Sequence, residues 1–317
     1  MNSVYIEITN VCNLNCSFCP CGKVNLQEVT GINPPREFMG SELFERSISE
    51  AATVAENVYF HVLGEPTLHP GFGLFLKKLE QARLKLNLTT NGTTINRVGK
   101  QILASAAVRQ VNFSTHAYAE LPREQALSNL QNVLDFCVMA NAVRPDLYIN
   151  LRLWNVGDQE SNSWNKMMLA KVNEIFGSNS DKDESKPQIS LEHFCSRHKS
   201  FNIAGKIYLH QDSRFEWPEL DERTGFALQT KGEVSKSIAA AGTCRALDTH
   251  VAILHDGRVI ACCLDYSGQI TLGNIAEQSL TKILETPLAR NLREGFQRHE
   301  LRHSLCQKCS FCKRFGK

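Results

Sequence analysis

Short apolar runs alternate along the chain with stretches whose apolar positions recur every three or four residues. Val4 to Ile8, Val58 to Leu63, Leu84 to Thr89, Val108 to Ser114 and Leu147 to Leu153 read as buried strands, with a sixth near Lys206 to Leu209. Between them lie helical patterns. Ser41 to Ala55 carries a cap and an acidic first turn, and the next helix sets Phe72, Leu76 and Leu79 on one face. Further helices are predicted near Ile95 to Ala104, over Pro122 to Ala142 with Cys137 as core, and near Ser163 to Ile175. Repeated strand–helix units predict parallel strands joined by right-handed crossovers. The fold class is therefore α/β, a partial (β/α)6 barrel of TIM-like type, short of the closed eight-fold form. Gly177 to Pro187 reads as a solvated loop.

The pattern changes towards the C-terminus. Val251 to Leu254 and Arg258 to Ala261 flank His255-Asp256-Gly257, a hairpin signal, and helical patterns follow near Leu280 and Leu292. The expected organisation is a barrel over residues 1–215, a polar bridge over 216–240 and a small hairpin–helix module over 241–317.

Composition narrows the class. The 317 residues are 42% hydrophobic and 21% charged, enough to build a packed core and too apolar for wholesale disorder. Lys+Arg 35 against Asp+Glu 33 leaves +2, which removes the electrostatic case for a nucleic-acid or anionic-membrane binder. No apolar run approaches a membrane span, and the first residues lack a secretory signal. A cytoplasmic protein is expected.

Twelve cysteines then redirect the reading. Four stand at 12, 16, 19 and 21 and six at 244, 262, 263, 306, 309 and 312, with only Cys137 and Cys195 between. Thiols crowded at both ends of a reduced, core-rich chain point to metal rather than disulfides. The spacing Cys12-x3-Cys16-x2-Cys19 is expected by chance only about 0.02 times in a chain of this cysteine content. Zinc is one reading, with Cys21 as fourth ligand. The other is a four-iron cluster held by three thiolates, whose remaining iron takes a substrate or cofactor.

The run Ile8-Thr9-Asn10-Val11-Cys12-Asn13-Leu14-Asn15-Cys16-Ser17-Phe18-Cys19-Pro20 resembles the cluster loop of the radical S-adenosylmethionine (AdoMet) superfamily. Other residues fall in that family's order at strand ends, where barrel sites form: Gly64-Glu65-Pro66, Thr89-Thr90-Asn91-Gly92, Ser114, and Asn150 with Arg152. The resemblance implies that Cys12, Cys16 and Cys19 hold a 4Fe–4S cluster beside Phe18, and that AdoMet chelates its open iron. Gly64, Glu65 and Pro66 would meet the methionine amine, and Asn91, Ser114 and Arg152 the ribose and carboxylate. Leu63-Gly64-Glu65-Pro66 departs from the paired glycines of many relatives. The resemblance covers about residues 4–210 and implies reductive cleavage of AdoMet to a 5′-deoxyadenosyl radical that abstracts a substrate hydrogen atom.

Cys244-x12-Gly257-x4-Cys262, followed by Cys306-x2-Cys309, resembles the auxiliary-cluster (SPASM or twitch) extensions of that superfamily. Six cysteines cannot fill two four-thiolate clusters, so one auxiliary 4Fe–4S cluster is the natural load. The expected ligands are Cys244, Cys262, Cys306 and Cys309, whose steps of 18, 44 and 3 residues look like the shortened extension of the aminocyclitol dehydrogenase branch. A structural zinc site is the alternative. Cys263 and Cys312 are left over, as packing thiols or alternative ligands, and Cys263 is also a candidate hydrogen-atom donor. Cys195, between His193 and His198, is another such candidate.

The expected function is a radical AdoMet oxidoreductase or epimerase acting on a small polar (aminocyclitol- or sugar-like) substrate or a peptide. The first strand begins near residue 4, so no winged-helix leader-peptide domain is expected before it, which tilts the choice towards a small polar molecule or a peptide presented by a separate protein. Flavodoxin or ferredoxin is implied as electron donor. The alternatives are a radical enzyme modifying RNA or protein side chains, and a non-enzymatic zinc protein.

Overall fold

The computed structural model describes residues 1–21, 36–177, 199–214, 216–218 and 240–314. The expected loop over 177–187 apart from Gly177, nearly all of the bridge, and Cys195 with His193 and His198 lie outside the described residues.

The chain opens with strand β1 (Ser3–Ile6), helix α1 (Ser41–Ala52), β2 (Asn57–Phe60) and α2 (Phe72–Gln81). Then come β3 (Lys85–Thr90), α3 (Ile95–Ala104), β4 (Val108–Phe113), α4 (Arg123–Val143), β5 (Tyr148–Leu153) and α5 (Asn162–Gly177). A hairpin, β6 (Ser200–Ala204) and β7 (Ile207–Gln211), precedes the C-terminal elements β8 (His250–Ile253), β9 (Arg258–Ile260) and β10 (Thr271–Asn274). Three short helices close the chain: α6 (Leu280–Leu284), α7 (Pro287–Gln297) and α8 (Ser304–Lys308). The predicted alternation holds, with strand ends moved by at most three residues. It missed β6 and β10. Ser41 is not the cap of α1; Gly40 holds that position without a side-chain bond, and Ser41 is the first helical residue. No helix among the described residues is long and apolar enough to cross a membrane.

Two compact units result, one of residues 1–85 and 215–317, the other of 86–214. In the first, β1 pairs in parallel with β2 on one side and β8 on the other, while β9 and β10 continue antiparallel from β8. The C-terminal hairpin is thus built onto the first strand of the chain. Alternation along β1 explains why: Val4, Ile6 and Ile8 are buried towards the helices, and Tyr5 and Glu7 point the other way. Phe44 of α1 stacks on Phe75 of α2 at 3.7 Å and meets the edge of Phe60 from β2. The Arg46 guanidinium donates to Ile275 O, and Glu50 Oε2 accepts from Leu280 N at 2.9 Å, so α1 also seats the C-terminal elements.

The second unit orders its strands β3-β4-β5-β7-β6, all parallel except the β6–β7 pair. Leu86, Leu88, Val111, Phe113 and Leu151 are fully buried, and Cys137 joins them as core, as expected.

Candidate active site

The cluster loop leaves β1 and turns tightly. Cys19 N donates to Cys16 O at 3.1 Å, and Leu14 N to Cys12 Sγ at 3.5 Å, so the segment folds on its own backbone. Cys12, Cys16 and Cys19 are all half-buried. Two contacts bind the end of β2 to this loop. Glu65 N donates to Val11 O at 2.7 Å, and Gly64 approaches so closely that an added Cβ would lie 2.2 Å from Thr9 O. With φ of +73° as well, position 64 accepts only glycine without strain.

Cys21 is hydrogen-bonded to Cys19 and has further partners outside the turn. It accepts from Gly64 N at 3.3 Å and lies 3.6 Å from Asn10 O. Its hydrogen bond to Cys19 lowers the Cys19 pKa, against burial and the neighbouring Cys16 and Cys12. The same bond, with burial, pushes the Cys21 thiol far up.

Glu65 is 1% exposed, and its Oε1 accepts from Thr67 N at 3.1 Å and Thr67 Oγ1 at 2.5 Å, capping the turn Pro66–Leu68. In the second unit, adjacent strand ends bring the other candidates together. Asn91 Oδ1 accepts from Thr93 N and Thr93 Oγ1, and Tyr118 donates its hydroxyl to Asn91 O. Ser114 N donates to Thr90 O at 2.9 Å. The Arg152 guanidinium lies over the Trp154 ring at 4.5 Å, and Arg152 O accepts from Thr115 Oγ1 at 2.8 Å. Three residues missed in the sequence complete this group. Trp154 Nε1 donates to His210 Nδ1 at 2.9 Å, and buried His116 stacks beside Trp154.

The six C-terminal thiols converge. Burial raises the Cys262 pKa well above the usual thiol value, and Cys263, Cys244, Cys306 and Asp265 add to it. Burial likewise raises Cys306, with Cys244, Cys309, Asp265 and Cys312 contributing, and lifts Cys309 to about 11. The hairpin delivers Cys262, and α8 carries Cys306 with Cys309 at its end. Buried Asp265 accepts from Gln269 N and Ile270 N, fixing the turn that follows the paired cysteines. The two leftover thiols have different surroundings. Cys312 Sγ donates to Cys309 O at 2.9 Å, whereas Cys263 is bonded to Tyr5 and packs against Val62, Ala252, Leu254 and Ile260.

All described cysteines are free thiols. Among the described residues no three His, Cys, Asp or Glu side chains gather tightly enough for a single ion. The donor sets fit iron–sulfur clusters in their chemistry: thiols on a tight loop at one end, and a buried thiol group at the other.

Comparison with known proteins agrees. Residues 6–145 match the family model of the radical SAM superfamily, and residues 244–313 that of the SPASM iron–sulfur cluster-binding domain. A tungsten-containing aldehyde ferredoxin oxidoreductase cofactor-modifying protein of Pyrococcus furiosus is 31% identical over 136 residues, which are 42% of this chain and 35% of that protein. A probable GTP 3′,8-cyclase of Pyrococcus horikoshii is 26% identical over 55% of this chain and 54% of its own length. The matches thus span about a third and about half of these two relatives. Among solved structures, native anSMEcpe with bound AdoMet superposes with a TM-score of 0.53 at 17% identity, over 99% of this chain and 89% of that one. This shows a shared fold, the partial barrel expected from the strand–helix alternation. The chain belongs to the radical SAM superfamily and carries a C-terminal SPASM domain, so that AdoMet, a 4Fe–4S cluster and an auxiliary cluster are its cofactors.

Proposed function

We propose that this enzyme abstracts a hydrogen atom from a small polar, aminocyclitol- or sugar-like substrate or a peptide, leading to dehydrogenation or epimerisation. The observation that carries its radical chemistry is the tight turn shared by Cys12, Cys16 and Cys19, beside which Cys21 bonds to Cys19 and is also engaged with Asn10 O and Gly64 N. That arrangement supports a three-thiolate ligand set. When bound, the cluster and AdoMet supply a 5′-deoxyadenosyl radical able to attack an unactivated C–H bond.

The chain's own residues hold, orient and shield. The tie from Glu65 N to Val11 O supports Gly64, Glu65 and Pro66 as the segment that meets the methionine amine, with Phe18 flanking the cluster. Asn91, Ser114 and Arg152, gathered at neighbouring strand ends, are assigned to the ribose and carboxylate. Cys244, Cys262, Cys306 and Cys309 are assigned to the auxiliary cluster, an electron acceptor in a dehydrogenation. Flavodoxin or ferredoxin is the proposed reductant. Half-buried Tyr5, Tyr59, His61 and His250, ring against ring in the first unit, supply phenols and imidazoles suited to a polyhydroxylated substrate.

Cys263 favours epimerisation as a second reading, because its thiol lies beside Tyr5. Its S–H would pass a hydrogen atom to a substrate carbon radical, and the external donor would return one electron and one proton to the thiyl. A Cys263→Ala enzyme that still epimerises its substrate would remove it from that role. For the wider reading, anaerobically reconstituted wild type should hold about eight irons and release 5′-deoxyadenosine when reduced with AdoMet. Cys16→Ala should release none and Cys21→Ala should retain release. Equal loss in both variants would count Cys21 among the ligands and overturn the three-thiolate site.

A further inference from the structure

The buried polar group that no role above absorbs is a Glu–His pair. Glu7, 2% exposed, follows the end of β1, on the face opposite Ile6 and Ile8. A carboxylate buried there needs partners for both oxygens. Oε1 lies 2.7 Å from His255 Nδ1, at the turn between β8 and β9, and Oε2 accepts from Leu63 N at 3.0 Å. Glu7 N in turn donates to Ile253 O at 2.9 Å.

Leu63 sits between two unusual backbones. Val62 has φ of +137°, a conformation that β-branched residues avoid, and Gly64 has φ of +73°. A strained segment persists only where surrounding contacts over-determine it. Here the contacts are Glu7 on the Leu63 N–H, Cys21 on the Gly64 N–H and Val11 O on the Glu65 N–H. Among the described residues, Glu7 alone accepts from the Leu63 N–H, and His255 is the side chain that meets the other oxygen of Glu7.

We propose that Glu7 and His255 form a buried clamp that fixes the bend after β2 in the shape its backbone needs to receive AdoMet. Both are positioning residues, and His255 makes the AdoMet site depend on the C-terminal hairpin. The proposal rests on the assignment of Gly64, Glu65 and Pro66 to the methionine amine.

The test compares wild type with Glu7→Gln, Glu7→Leu, His255→Leu and the double variant Glu7→Leu/Val62→Gly. Each is reconstituted anaerobically, its iron is counted, and AdoMet is titrated against the EPR spectrum of the reduced protein. The expected result is wild-type iron throughout. Half-saturation should rise about tenfold or more in Glu7→Leu and His255→Leu, with a smaller rise in Glu7→Gln, which keeps an acceptor for Leu63 N–H. Val62→Gly should restore part of the loss, because glycine adopts the bend without strain. If Glu7→Leu does not accumulate, Glu7→Gln and His255→Leu carry the comparison. A wild-type response retained in full by these variants overturns the clamp alone. Iron loss in step with affinity, with no rescue by Val62→Gly, reduces the pair to an ordinary structural contact and also overturns it. A wild-type spectrum indifferent to AdoMet overturns the assignment beneath the proposal, and the proposal with it.

Discussion

Histidines carried into the interior here change their proton affinity in opposite directions. Burial lowers the His255 pKa, but the hydrogen bond and charge of Glu7, with Asp256 and Glu37 adding, bring it above the usual imidazole value. Its stabilisation is therefore present in full below the unfolded pKa near 6.5 and is lost as pH rises through the folded value. His116 behaves in reverse. Burial depresses it to about 4, opposed by its bond to Arg152 O and reinforced by Arg152 and Arg214. On acidification the unfolded chain takes up this proton first, so stability falls between about pH 6.5 and 4, by something on the order of 3 kcal/mol. Denaturant unfolding as a function of pH should show that acid limb, and His116→Phe should flatten it. An unchanged limb would remove His116 as its source. Neither histidine was singled out from the sequence. A lone imidazole carries no sign of its partner, and Glu7 gave one hint only, as an acid within an apolar strand.

At the scale of elements, spacing located what is buried and periodic. The helix over Ile95–Ala104 was read to the residue, because Ile95, Val98 and Ile102 mark its inner face. The strands β6 and β10 were not read. No residue of β6 is buried, and β10 is interrupted by Gly273, so neither shows a clean alternation. The hairpin turn was legible from Asp256-Gly257, but not the pairing of its first strand with β1. That pairing has a consequence. Removing residues 241–317 would strip β8 from Ser3–Ile6 and take away the groups that bond Arg46 and Glu50 on α1. An open edge on a buried parallel strand invites association. The truncated chain should therefore aggregate and fail to keep its N-terminal cluster, as judged by gel filtration and iron content. A monomer that holds four irons and cleaves AdoMet would contradict this.

For the whole molecule, the sequence alone settled the chemistry. Cysteine spacing, short turn motifs such as Gly64-Glu65-Pro66, and strand–helix alternation are local patterns, and each is written in nearby residues. They led to a partial barrel and to metal at both ends, and the resemblance to the radical AdoMet superfamily implied an AdoMet cluster and an auxiliary cluster before any contact was known. What only tertiary structure decided is how distant segments complete one another. Glu7 meets His255 across 248 positions, Tyr5 meets Cys263, and Cys21 accepts from Gly64 N. Such contacts depend on sheet register and on which face of a strand a side chain takes. Those are fixed by the packing of the whole core, and no short stretch of sequence contains that information.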